Sequence, residues 1–375
     1  MRKSLNSLGL MSGTSGDGVD ASVINSDGKS HYEVLINKYF QYTDEISQSI
    51  HNLKQKIINI EDIKKFAQEI IDLERKITLF HSNVVSNCTK NNDFVIDLIG
   101  FHGQTILHKP KDNFSKQLGD GKLLSQLTKK KVVYDFRQND LANGGEGAPL
   151  SPIFHLIFAK EKKIKLPICI LNIGGISNLT LITDLKEKNL ISKDIGPGNC
   201  LIDEWVRRNK KGNFDKNGQL AYSGTTDQLV LNQALDDFEN IPKKNINSYD
   251  VNDFEINFLR GLSLEDGAST ITDFTSNIIA DNLSNEISKS KIKISKVILC
   301  GGGRKNKTLI ERIKKYCGND VKFEATDDYG VDGDFVESQA FAYLAIRSFF
   351  KLPISFPNTT GCKLPSTGGV LVKNF

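Results

Sequence analysis

The sequence predicts an α/β protein of two similar domains, each a mixed sheet flanked by helices, that face a central cleft. Its 375 residues exceed the length of one typical domain. Short apolar runs typical of strands alternate with longer segments of helical periodicity. Three of these runs end in glycine-rich turns, at residues 13–18, 174–175 and 301–303. The strand–turn–strand pattern of the N-terminus recurs at residues 168–183, which indicates a duplicated domain.

The first predicted domain covers residues 1–165 and alternates strands with helices. Its patterns predict strands at 5–11, 19–24, 32–40, 94–101 and 131–136, and helices from Thr43, over 60–88, over 122–130 and from Ser151. Two acidic residues after Thr43 suit the positive end of the first helix. Pro152 follows Ser151 at the first helical position, where proline is favoured. The polar, glycine-rich segment 137–149 is predicted to be a functional or mobile loop.

The second predicted domain covers residues 166–335 and begins after a hinge at 165–167. Its patterns predict strands at 168–173, 177–183, 296–300 and 321–325, and helices from 201, near 225–238, over 264–289 and over 305–316. Asp194 is predicted to end a loop that follows the second pair of strands, beside Gly196-Pro-Gly198. A strongly apolar helix is predicted at 334–350. We expect the segment 336–375, which ends in turn-forming residues, to return to the N-terminal domain.

Composition and charge exclude several classes of protein. Hydrophobic residues make up 39% and charged residues 25%, as in ordinary globular proteins, and the formal net charge of +4 is too small for a nucleic-acid-binding surface. No apolar segment has the length of a secretory signal or a membrane span. The six cysteines form no Cys-x-x-Cys pair, which argues against a zinc site or a disulfide scaffold. We expect a cytoplasmic protein that binds neither nucleic acid nor a membrane.

The first glycine-rich turn has the composition of a phosphate-binding loop. Gly13, Gly16 and Gly18 lie between two predicted strands, and glycine tolerates positive φ and lets the backbone approach a ligand closely. Consecutive backbone N–H groups, with the neighbouring serine and threonine hydroxyls, suit phosphate. No Gly-Lys-Ser/Thr ends the turn, so it is not a Walker loop. Taken alone, the turn fits a polar hairpin equally well.

Three such turns in one chain resemble those of the actin-like (ribonuclease H-like) ATPase superfamily, which includes sugar and acetate kinases. The resemblance implies that ATP binds with its β- and γ-phosphates at the first turn. The second turn then holds phosphates from the opposite domain, and the third packs under adenosine. The implied ATP-binding residues are Gly13, Thr14, Ser15, Gly16, Asp17, Gly18, Val19, Asp20, Gly174, Gly175, Gly301, Gly302 and Gly303.

Shorter motifs that follow one another along the chain narrow the resemblance. They are Gly9-Leu-Met-Ser-Gly-Thr-Ser-Gly-Asp-Gly18, His102 with Gly103-Gln-Thr105, Asp135-Phe-Arg137, Gly144-Gly-Glu-Gly-Ala-Pro149, Asn172-Ile-Gly-Gly-Ile-Ser-Asn178, Asp194-Ile-Gly-Pro-Gly-Asn199, Cys300-Gly-Gly-Gly303 and Glu337 with Ala340-Phe-Ala342. The set resembles the anhydro-N-acetylmuramic acid kinase family of bacterial cell-wall recycling. The resemblance implies a homodimer that opens 1,6-anhydro-N-acetylmuramic acid with water. It phosphorylates O6 with ATP and Mg²⁺, giving N-acetylmuramic acid 6-phosphate and ADP.

In this resemblance the general base that activates the water falls on Asp194. A carboxylate within hydrogen-bond reach of the water is sufficient for that role. The glycines of the segment after it allow its backbone to pack close to a ligand. Residue type alone leaves an alternative, because aspartate before glycine is a common turn residue.

The sugar contacts are predicted to lie in three places. Arg137 suits the lactyl carboxylate or the sugar oxygens, and a surface salt bridge is the alternative. His102, Gln104 and Thr105 form a polar cluster at the end of a predicted strand, where α/β proteins commonly bind ligands. Gln104 is a stronger candidate than His102, since a single histidine is more often structural. Glu337 matches a family residue near the sugar.

The magnesium ligands are not assigned by the sequence. Asp17 and Asp20 fit either a turn or indirect contact with Mg²⁺ through water. Asn172 stands where other actin-like kinases have a second aspartate. The sequence departs from the family pattern at Gly16, at Ile195 and within residues 242–254.

Two other functions fit part of the pattern. An actin-like kinase for a different sugar also needs a base, but its product keeps the ring with which the sugar began. An actin-like or chaperone-like nucleotide switch usually adds filament contacts or a peptide-binding domain, for which we expect no room in the short tail. The polar residues at 102–105, at 135–137 and at Asp194 favour a small polar substrate.

Overall fold

The chain forms two compact units, each with its own sheet. The computed structural model describes residues 4–90, 92–240, 248–249 and 251–375. Unit 1 lies within Met1–Ile164, Leu185–Ile191 and Asp334–Phe375, and unit 2 lies within Lys165–Asp184 and Ser192–Gly333.

Unit 1 combines a large sheet with helices that flank it. The strands are β1 (Leu5–Ser12), β2 (Gly18–Ser26), β3 (Tyr32–Gln41), β4 (Leu98–Lys109), β5 (Phe114–Leu118), β6 (Lys131–Tyr134) and β12 (Val370–Val372). The helices are α1 (Asp44–Lys56), α2 (Ile60–Lys65), α3 (Ala67–Thr89), α4 (Gly121–Thr128), α5 (Gln138–Ala142), α6 (Pro152–Glu161), α12 (Val336–Phe349) and α13 (Pro357–Thr360). Thr43 caps α1, as expected, by accepting a hydrogen bond from the N–H of Ile46.

The sheet of unit 1 is mixed, and β1 lies at its centre. Its strand order is β12-β6-β4-β1-β2-β3, and β5 pairs with the free end of β4. The strands β1, β2 and β3 are antiparallel neighbours, whereas β4 runs parallel to β1 and β6 runs parallel to β4. Leu8 and Leu10 of β1 are wholly buried in the core that this sheet forms with the helices. The order places the end of β1 beside β4, where the polar residues lie.

Two glycines let α12 lie directly on this sheet. A Cβ at Gly9 of β1 would be 1.9 Å from the carbonyl oxygen of Ser338, and a Cβ at Gly100 of β4 would be 2.2 Å from that of Phe341. Both distances are far shorter than a van der Waals contact, so any larger residue would displace the helix. The two glycines therefore set the position of α12, whose first turn contains Glu337.

Unit 2 is a second mixed sheet with its own helices. The strands are β7 (Ile168–Ile173), β8 (Ile176–Ile182), β9 (Ile191–Pro197), β10 (Lys296–Cys300) and β11 (Lys322–Ala325). The helices are α7 (Cys200–Arg208), α8 (Gln219–Ser223), α9 (Gln228–Glu239), α10 (Leu264–Lys289) and α11 (Lys307–Cys317). The strand order is β11-β10-β7-β8-β9. β8 is antiparallel to β7, whereas β10 runs parallel to β7 and β11 parallel to β10.

The two sheets share one topology. In each, the first strand is central, the second and third follow on one side, and two later strands lie parallel to the first on the other side. β5 and β12 are additions to this pattern in unit 1. The predicted α/β class, with mixed sheets flanked by helices, is confirmed, and the repeated strand–turn–strand pattern corresponds to β1–β2 and β7–β8.

Two predicted boundaries near the polar residues are wrong. The strand predicted at 94–101 begins at Leu98 and continues to Lys109, so the polar residues 102–105 lie inside β4 rather than after it. They remain in the strand because β1 pairs with one side of β4 and β5, which was not predicted, pairs with the other. Asp194 likewise lies inside β9 and not in a loop.

Three other segments differ from their predictions. The helix predicted over 60–88 is divided into α2 and α3, because the backbone of Phe66 leaves the helical region. The predicted loop 137–149 contains the short helix α5. The segment 357–369, predicted to contain only turns, includes α13, and the unpredicted strand β12 follows it and pairs with β6 at the edge of the sheet.

Candidate active site

The loop between β1 and β2 has an exposed rim and a buried base. Its exposed side chains are those of Thr14, Ser15 and Asp17. Gly16 is buried with a φ of +65°, and a Cβ there would lie 2.9 Å from an isoleucine side chain of α1. Asp20 is half-buried on β2, whereas the Val19 side chain is wholly buried in the core. The loop thus offers backbone and hydroxyl groups to solvent, as a phosphate site requires.

Beside this loop, β4 carries the predicted sugar-binding residues. The register of β4 against β1 shifts at His102, which is the extra residue of a β-bulge. Two residues further on, Gln104 lies opposite Ser12, the last residue of β1. Gln104 is completely buried, and its Nε2 donates to the carbonyl oxygen of Gly13 at 3.0 Å. Thr105 is half-buried.

His102 and Arg137 form a hydrogen-bonded pair. Nη2 of Arg137 donates to Nε2 of His102 at 2.9 Å, and Nδ1 of His102 donates to the carbonyl oxygen of Gly103 at 2.8 Å. A guanidinium has only donors, so His102 must be neutral with its proton on Nδ1. Burial, and then the charge of Arg137, hold the pKa of His102 well below its usual range. The ring also packs on Phe341 of α12, with centroids 4.4 Å apart.

A buried carboxylate organises the loop that follows β6. Asp140 is 1% exposed and accepts hydrogen bonds from the N–H of Gly147 and the hydroxyl of Thr360, both at 2.7 Å. The carbonyl oxygen of Gly147 in turn accepts from Nη1 of Arg137 at 2.7 Å. Arg137 is therefore held by this loop and by His102, which fixes the direction of its guanidinium.

In unit 1 the structure brings most of the predicted residues of that unit to one region. The first loop follows β1. Gln104 and Thr105 lie on the neighbouring strand β4, and Arg137 contacts the bulge of β4. The helix α12, with the half-buried Glu337 in its first turn, packs on β1 and β4.

The second glycine turn, between β7 and β8, is held by the segment that follows β9. The N–H of Asn199 donates to the carbonyl oxygen of Gly174 at 2.8 Å, and the N–H of Gly198 donates to that of Gly175 at 2.8 Å. A Cβ at Gly198 would lie 2.3 Å from the carbonyl oxygen of Gly174, so this close approach needs glycine.

Asp194 lies in β9, four residues before that contact. It is 6% exposed, and its Oδ2 accepts a hydrogen bond from the N–H of Tyr249 at 2.8 Å. Burial, and then the charge of Asp194, raise the pKa of the Tyr249 phenol, which stays protonated near neutral pH. Two residues after Asp194, Gly196 packs on α10, where a Cβ would lie 2.6 Å from Cγ2 of Ile278. The carboxylate is thus buried and oriented, and it lies four residues before the segment that holds the second turn.

The third glycine turn, 301–303, follows β10, the parallel neighbour of β7. A Cβ at Gly301 would lie 2.4 Å from Oδ1 of Asn172, near the end of β7. No described atom lies within 4 Å of a Cβ at Gly302. Arg304 fixes the turn, because Nε and Nη2 donate to the two carboxylate oxygens of Asp327 at 2.7 and 2.9 Å, and Nη1 donates to the carbonyl oxygen of Gly301 at 3.1 Å. The turn therefore combines a rigid base with an open face.

The residues at the first loop fit the usual way of holding Mg²⁺. Within the described ranges, no group of three or more histidine, cysteine, aspartate or glutamate side chains could hold a metal ion. Mg²⁺ is commonly bound by one or two carboxylates together with water and substrate phosphates, which needs no such group. Asp17, which accepts from the hydroxyl of Ser15 at 2.7 Å, and Asp20 are the carboxylates of this loop.

None of the helices in the described part of the chain has the length and apolar character needed to cross a membrane.

A family model described as anhydro-N-acetylmuramic acid kinase matches residues 5–374. The chain belongs to this family. The anhydro-N-acetylmuramic acid kinase of Pelagibacter ubique is 52% identical over 375 residues, which are 100% of both proteins. That of Zymomonas mobilis is 37% identical over 369 residues, covering 96% of this chain and 98% of the relative. A solved structure of a ROK family glucokinase from Streptomyces griseus, in complex with glucose and AMPPNP, aligns at 12% identity and a TM-score of 0.41, covering 91% of this chain and 99% of the other.

Membership of the anhydro-N-acetylmuramic acid kinase family confirms the resemblance drawn from the motifs, and with it the prediction of a kinase. The similarity extends over essentially the whole chain, as the spread of the motifs suggested.

Three further residues support predicted site residues but were not predicted. Lys54 donates from Nζ to the carbonyl oxygen of Thr14, and the N–H of Tyr249 donates to Asp194. Asp140 supports Arg137 through Gly147. Each acts across a turn or a long stretch of sequence, so no local spacing marks it. Tyr249 belongs to the divergent segment 242–254, of which residues 242–247 and 250 lie outside the described residues. Asp140 lies among turn-forming polar residues, where aspartate is common.

Proposed function

We propose that this protein is an ATP-dependent kinase that opens 1,6-anhydro-N-acetylmuramic acid with water and phosphorylates O6. The products are N-acetylmuramic acid 6-phosphate and ADP, and the reaction serves peptidoglycan recycling. Family membership over residues 5–374 supports the activity. The single structural observation that carries the mechanism is Asp194, a buried carboxylate whose Oδ2 is oriented by the N–H of Tyr249.

The chemistry needs one general base. The 1,6-bridge is an internal acetal, so C1 is the electrophile for water and O6 is the leaving group. Water attacks C1 as its proton passes to the base, the C1–O6 bond breaks, and O6 attacks the γ-phosphorus of ATP while ADP leaves. The nucleophile for phosphoryl transfer is thus generated by the ring opening itself. A positioned carboxylate contributes typically 10²–10⁴-fold to such a step.

Asp194 is the proposed base. The hydrogen bond from the N–H of Tyr249 to Oδ2 restricts the orientation of the carboxyl group before the substrate binds. Burial of the side chain shields the carboxylate from bulk water, which strengthens its electrostatic interaction with the water that it activates.

ATP is proposed to bind through the three glycine turns. In unit 1, the backbone N–H groups and hydroxyls at residues 13–20 hold the β- and γ-phosphates. In unit 2, Gly174 and Gly175 hold phosphates, and the open face of 301–303 packs under adenosine. Asp17 and Asp20 would hold Mg²⁺ through water together with the phosphates, and the ion would supply positive charge that offsets the charge of the transferred phosphoryl group.

The sugar is proposed to contact the polar groups of unit 1. Arg137, oriented by His102 and by the loop of Asp140, presents its guanidinium to the lactyl carboxylate, for which a planar fork of donors is well suited. Thr105 and Glu337 supply hydrogen bonds to the sugar. In this arrangement His102 binds the sugar only through Arg137, since its Nε2 already accepts from that side chain.

We further propose that unit 1 is the sugar and first phosphate domain, and that unit 2 supplies the second phosphate turn, the base and the adenosine motif. The N-terminal domain is 1–165, the C-terminal domain 166–335, and residues 336–375 return to the first. The protein acts in the cytoplasm as a homodimer, as the family resemblance implies.

The test is turnover in ¹⁸O-water with ATP, Mg²⁺ and 1,6-anhydro-N-acetylmuramic acid, with the sugar product analysed by mass spectrometry. The wild type is expected to add both phosphate and one ¹⁸O at C1, read early to avoid exchange at the free anomeric carbon. Asp194→Asn removes the base and is expected to lower kcat by at least about 10²-fold. Asp281→Asn, on the exposed face of α10, is the matched control.

Phosphorylation without ¹⁸O at C1 would contradict coupled ring opening. Undiminished turnover in Asp194→Asn would remove this residue as the base and keep the reaction. Absence of turnover with the anhydro sugar, together with turnover of another sugar, would support the alternative kinase instead.

A further inference from the structure

The carbonyl oxygens of the first loop are held by side chains from two other elements. The oxygen of Gly13 accepts from Nε2 of Gln104 at 3.0 Å and also from the N–H of Gly16 at 3.2 Å. The oxygen of Thr14 accepts from Nζ of Lys54 at 2.7 Å. Gln104 comes from β4 and Lys54 from α1, so the loop is fixed between a strand and a helix.

These bonds set the direction of the loop N–H groups. In a trans peptide the C=O of one residue and the N–H of the next point in opposite directions within one rigid plane. Fixing the oxygens of Gly13 and Thr14 therefore fixes the N–H groups of Thr14 and Ser15, which point away from Gln104 and Lys54. Both residues lie on the exposed rim of the loop, where phosphate is proposed to bind.

The second turn holds its carbonyl oxygens in the same way with different groups. There the oxygens of Gly174 and Gly175 accept from the backbone N–H groups of Asn199 and Gly198. The two sheets share one topology, and both glycine turns have their carbonyl oxygens bonded from outside the turn. In unit 1 the hydrogen-bond donors to these carbonyl oxygens include the side chains of Gln104 and Lys54, whereas in unit 2 they are backbone N–H groups.

The two polar atoms of the Gln104 side-chain amide differ in their hydrogen bonding. The side chain is completely buried, and within the described part of the chain its Oε1 has no hydrogen-bond partner. A buried acceptor without a partner is unfavourable, so the favourable contact of this amide with the first loop is the hydrogen bond that Nε2 donates to Gly13. A sugar contact, which the sequence predicts for Gln104, would need a polar atom exposed to the ligand.

We propose that Gln104 and Lys54 are positioning residues that orient the peptide units of the first loop toward the phosphates of ATP, and that Gln104 does not contact the sugar. The inference rests on the proposed function, because it takes ATP as the ligand of this loop. It adds two roles to that function. Gln104 is assigned to ATP binding in place of sugar binding, and Lys54 is assigned to the ATP site.

The test compares four variants, Gln104→Met, Lys54→Met, Lys54→Arg and the control Lys56→Met. The Met side chain is close in size to that of Gln but has no N–H donor, and Lys54→Arg keeps a charged side-chain donor. Lys56 lies on the same helix and pairs with Glu69 instead of the loop. The readouts are the affinity for ATP by calorimetry without sugar, and the KM values for ATP and for the anhydro sugar.

Gln104→Met and Lys54→Met are each expected to weaken ATP binding and raise the KM for ATP by about two- to tenfold, the effect of one lost hydrogen bond. The KM for the sugar is expected to stay unchanged, Lys54→Arg to restore most of the affinity, and Lys56→Met to behave as the wild type. Lys54 is partly exposed, so its variants test the proposal even if Gln104→Met does not fold.

A higher KM for the sugar in Gln104→Met, with unchanged affinity for ATP, would overturn the proposal and make Gln104 a sugar contact. Equal affinity for ATP in Lys54→Met and the wild type would overturn the role of Lys54. Failure of the proposed function is distinguishable, because a wild type that binds ATP and does not turn over the anhydro sugar still allows the ATP comparison.

Discussion

Lowering the pH from 7 to 5 is expected to destabilise unit 1 through its buried histidines. All six histidines of the chain lie between residues 31 and 155, and four of them are buried. Burial lowers the pKa of His81 to about 4 and the pKa values of His108 and His155 to about 3. The pKa of His102 is shifted in the same direction by burial and by its arginine neighbour. Unit 2 contains no histidine in its sequence ranges.

The sign follows from proton binding. Above the ordinary histidine pKa of about 6.5 neither state binds the proton, and below it only the unfolded state does, so stability falls as the pH falls toward the folded pKa. Each pH unit below about 6.5 lowers the free energy of unfolding by about 1.4 kcal/mol per buried histidine. At pH 5 each such histidine therefore lowers it by about 2 kcal/mol. His81, His108 and His155 together cost about 6 kcal/mol, and His102 adds to this. A domain is stable by only about 5–15 kcal/mol, so the loss is large.

The two units can be followed separately by urea unfolding. The sole tryptophan, Trp205, is buried in unit 2, so its fluorescence reports that unit, whereas far-UV circular dichroism reports both. At pH 5 the dichroism is expected to show a transition at much lower urea than at pH 7. The Trp205 transition is expected to move less.

Single substitutions test the cause. His155→Asn keeps a neutral polar side chain in α6 and is expected to reduce the loss between pH 7 and 5 by about 2 kcal/mol. His31→Asn changes a histidine whose side chain is 45% exposed and serves as the control. A dichroism midpoint that is the same at pH 7 and pH 5 would refute the reasoning, as would an unchanged pH dependence in His155→Asn.

Three further predictions concern the site. Tyr249→Pro deletes the N–H that orients Asp194 and is expected to lower kcat roughly tenfold or more in steady-state assays, whereas Tyr249→Ala keeps the N–H and loses less. His102→Leu leaves a buried donor of Arg137 without its acceptor, so the KM for the sugar should rise roughly tenfold, and His102→Gln should recover part of it. Arg304→Met releases the third turn and should weaken ATP binding roughly fivefold by calorimetry, with Arg304→Lys intermediate.

Strands whose residues are buried on both faces could be predicted closely from the sequence. The runs at 168–173 and 296–300 coincide with β7 and β10, because such strands are continuous apolar runs bounded by glycine or polar residues. The three glycine turns could be predicted for the same reason, since each directly follows a strand of this kind. Helix starts such as Thr43 were marked by their capping residues.

Elements whose existence depends on a distant partner could not be predicted. β5 and β12 are short and partly exposed, and they are strands because β4 and β6 offer edges to them. β4 contains polar residues after Phe101, and only its two neighbours keep it extended there. Local sequence has no information about such neighbours, so the same residues predicted a strand end.

Among single residues of the site, those restricted to one residue type could also be predicted from the sequence, and those defined by a distant contact could not. Glycines could be recognised because a close approach or a positive φ restricts the position to one residue type, as at Gly16 and Gly198. The groups that hold a carbonyl oxygen are not restricted in this way, since any donor at the right place will serve. Unit 1 uses Gln104 and Lys54 for its turn, and unit 2 uses backbone N–H groups. A phosphate loop can therefore be found from its glycines, whereas the residues that aim its N–H groups become visible only in the folded chain.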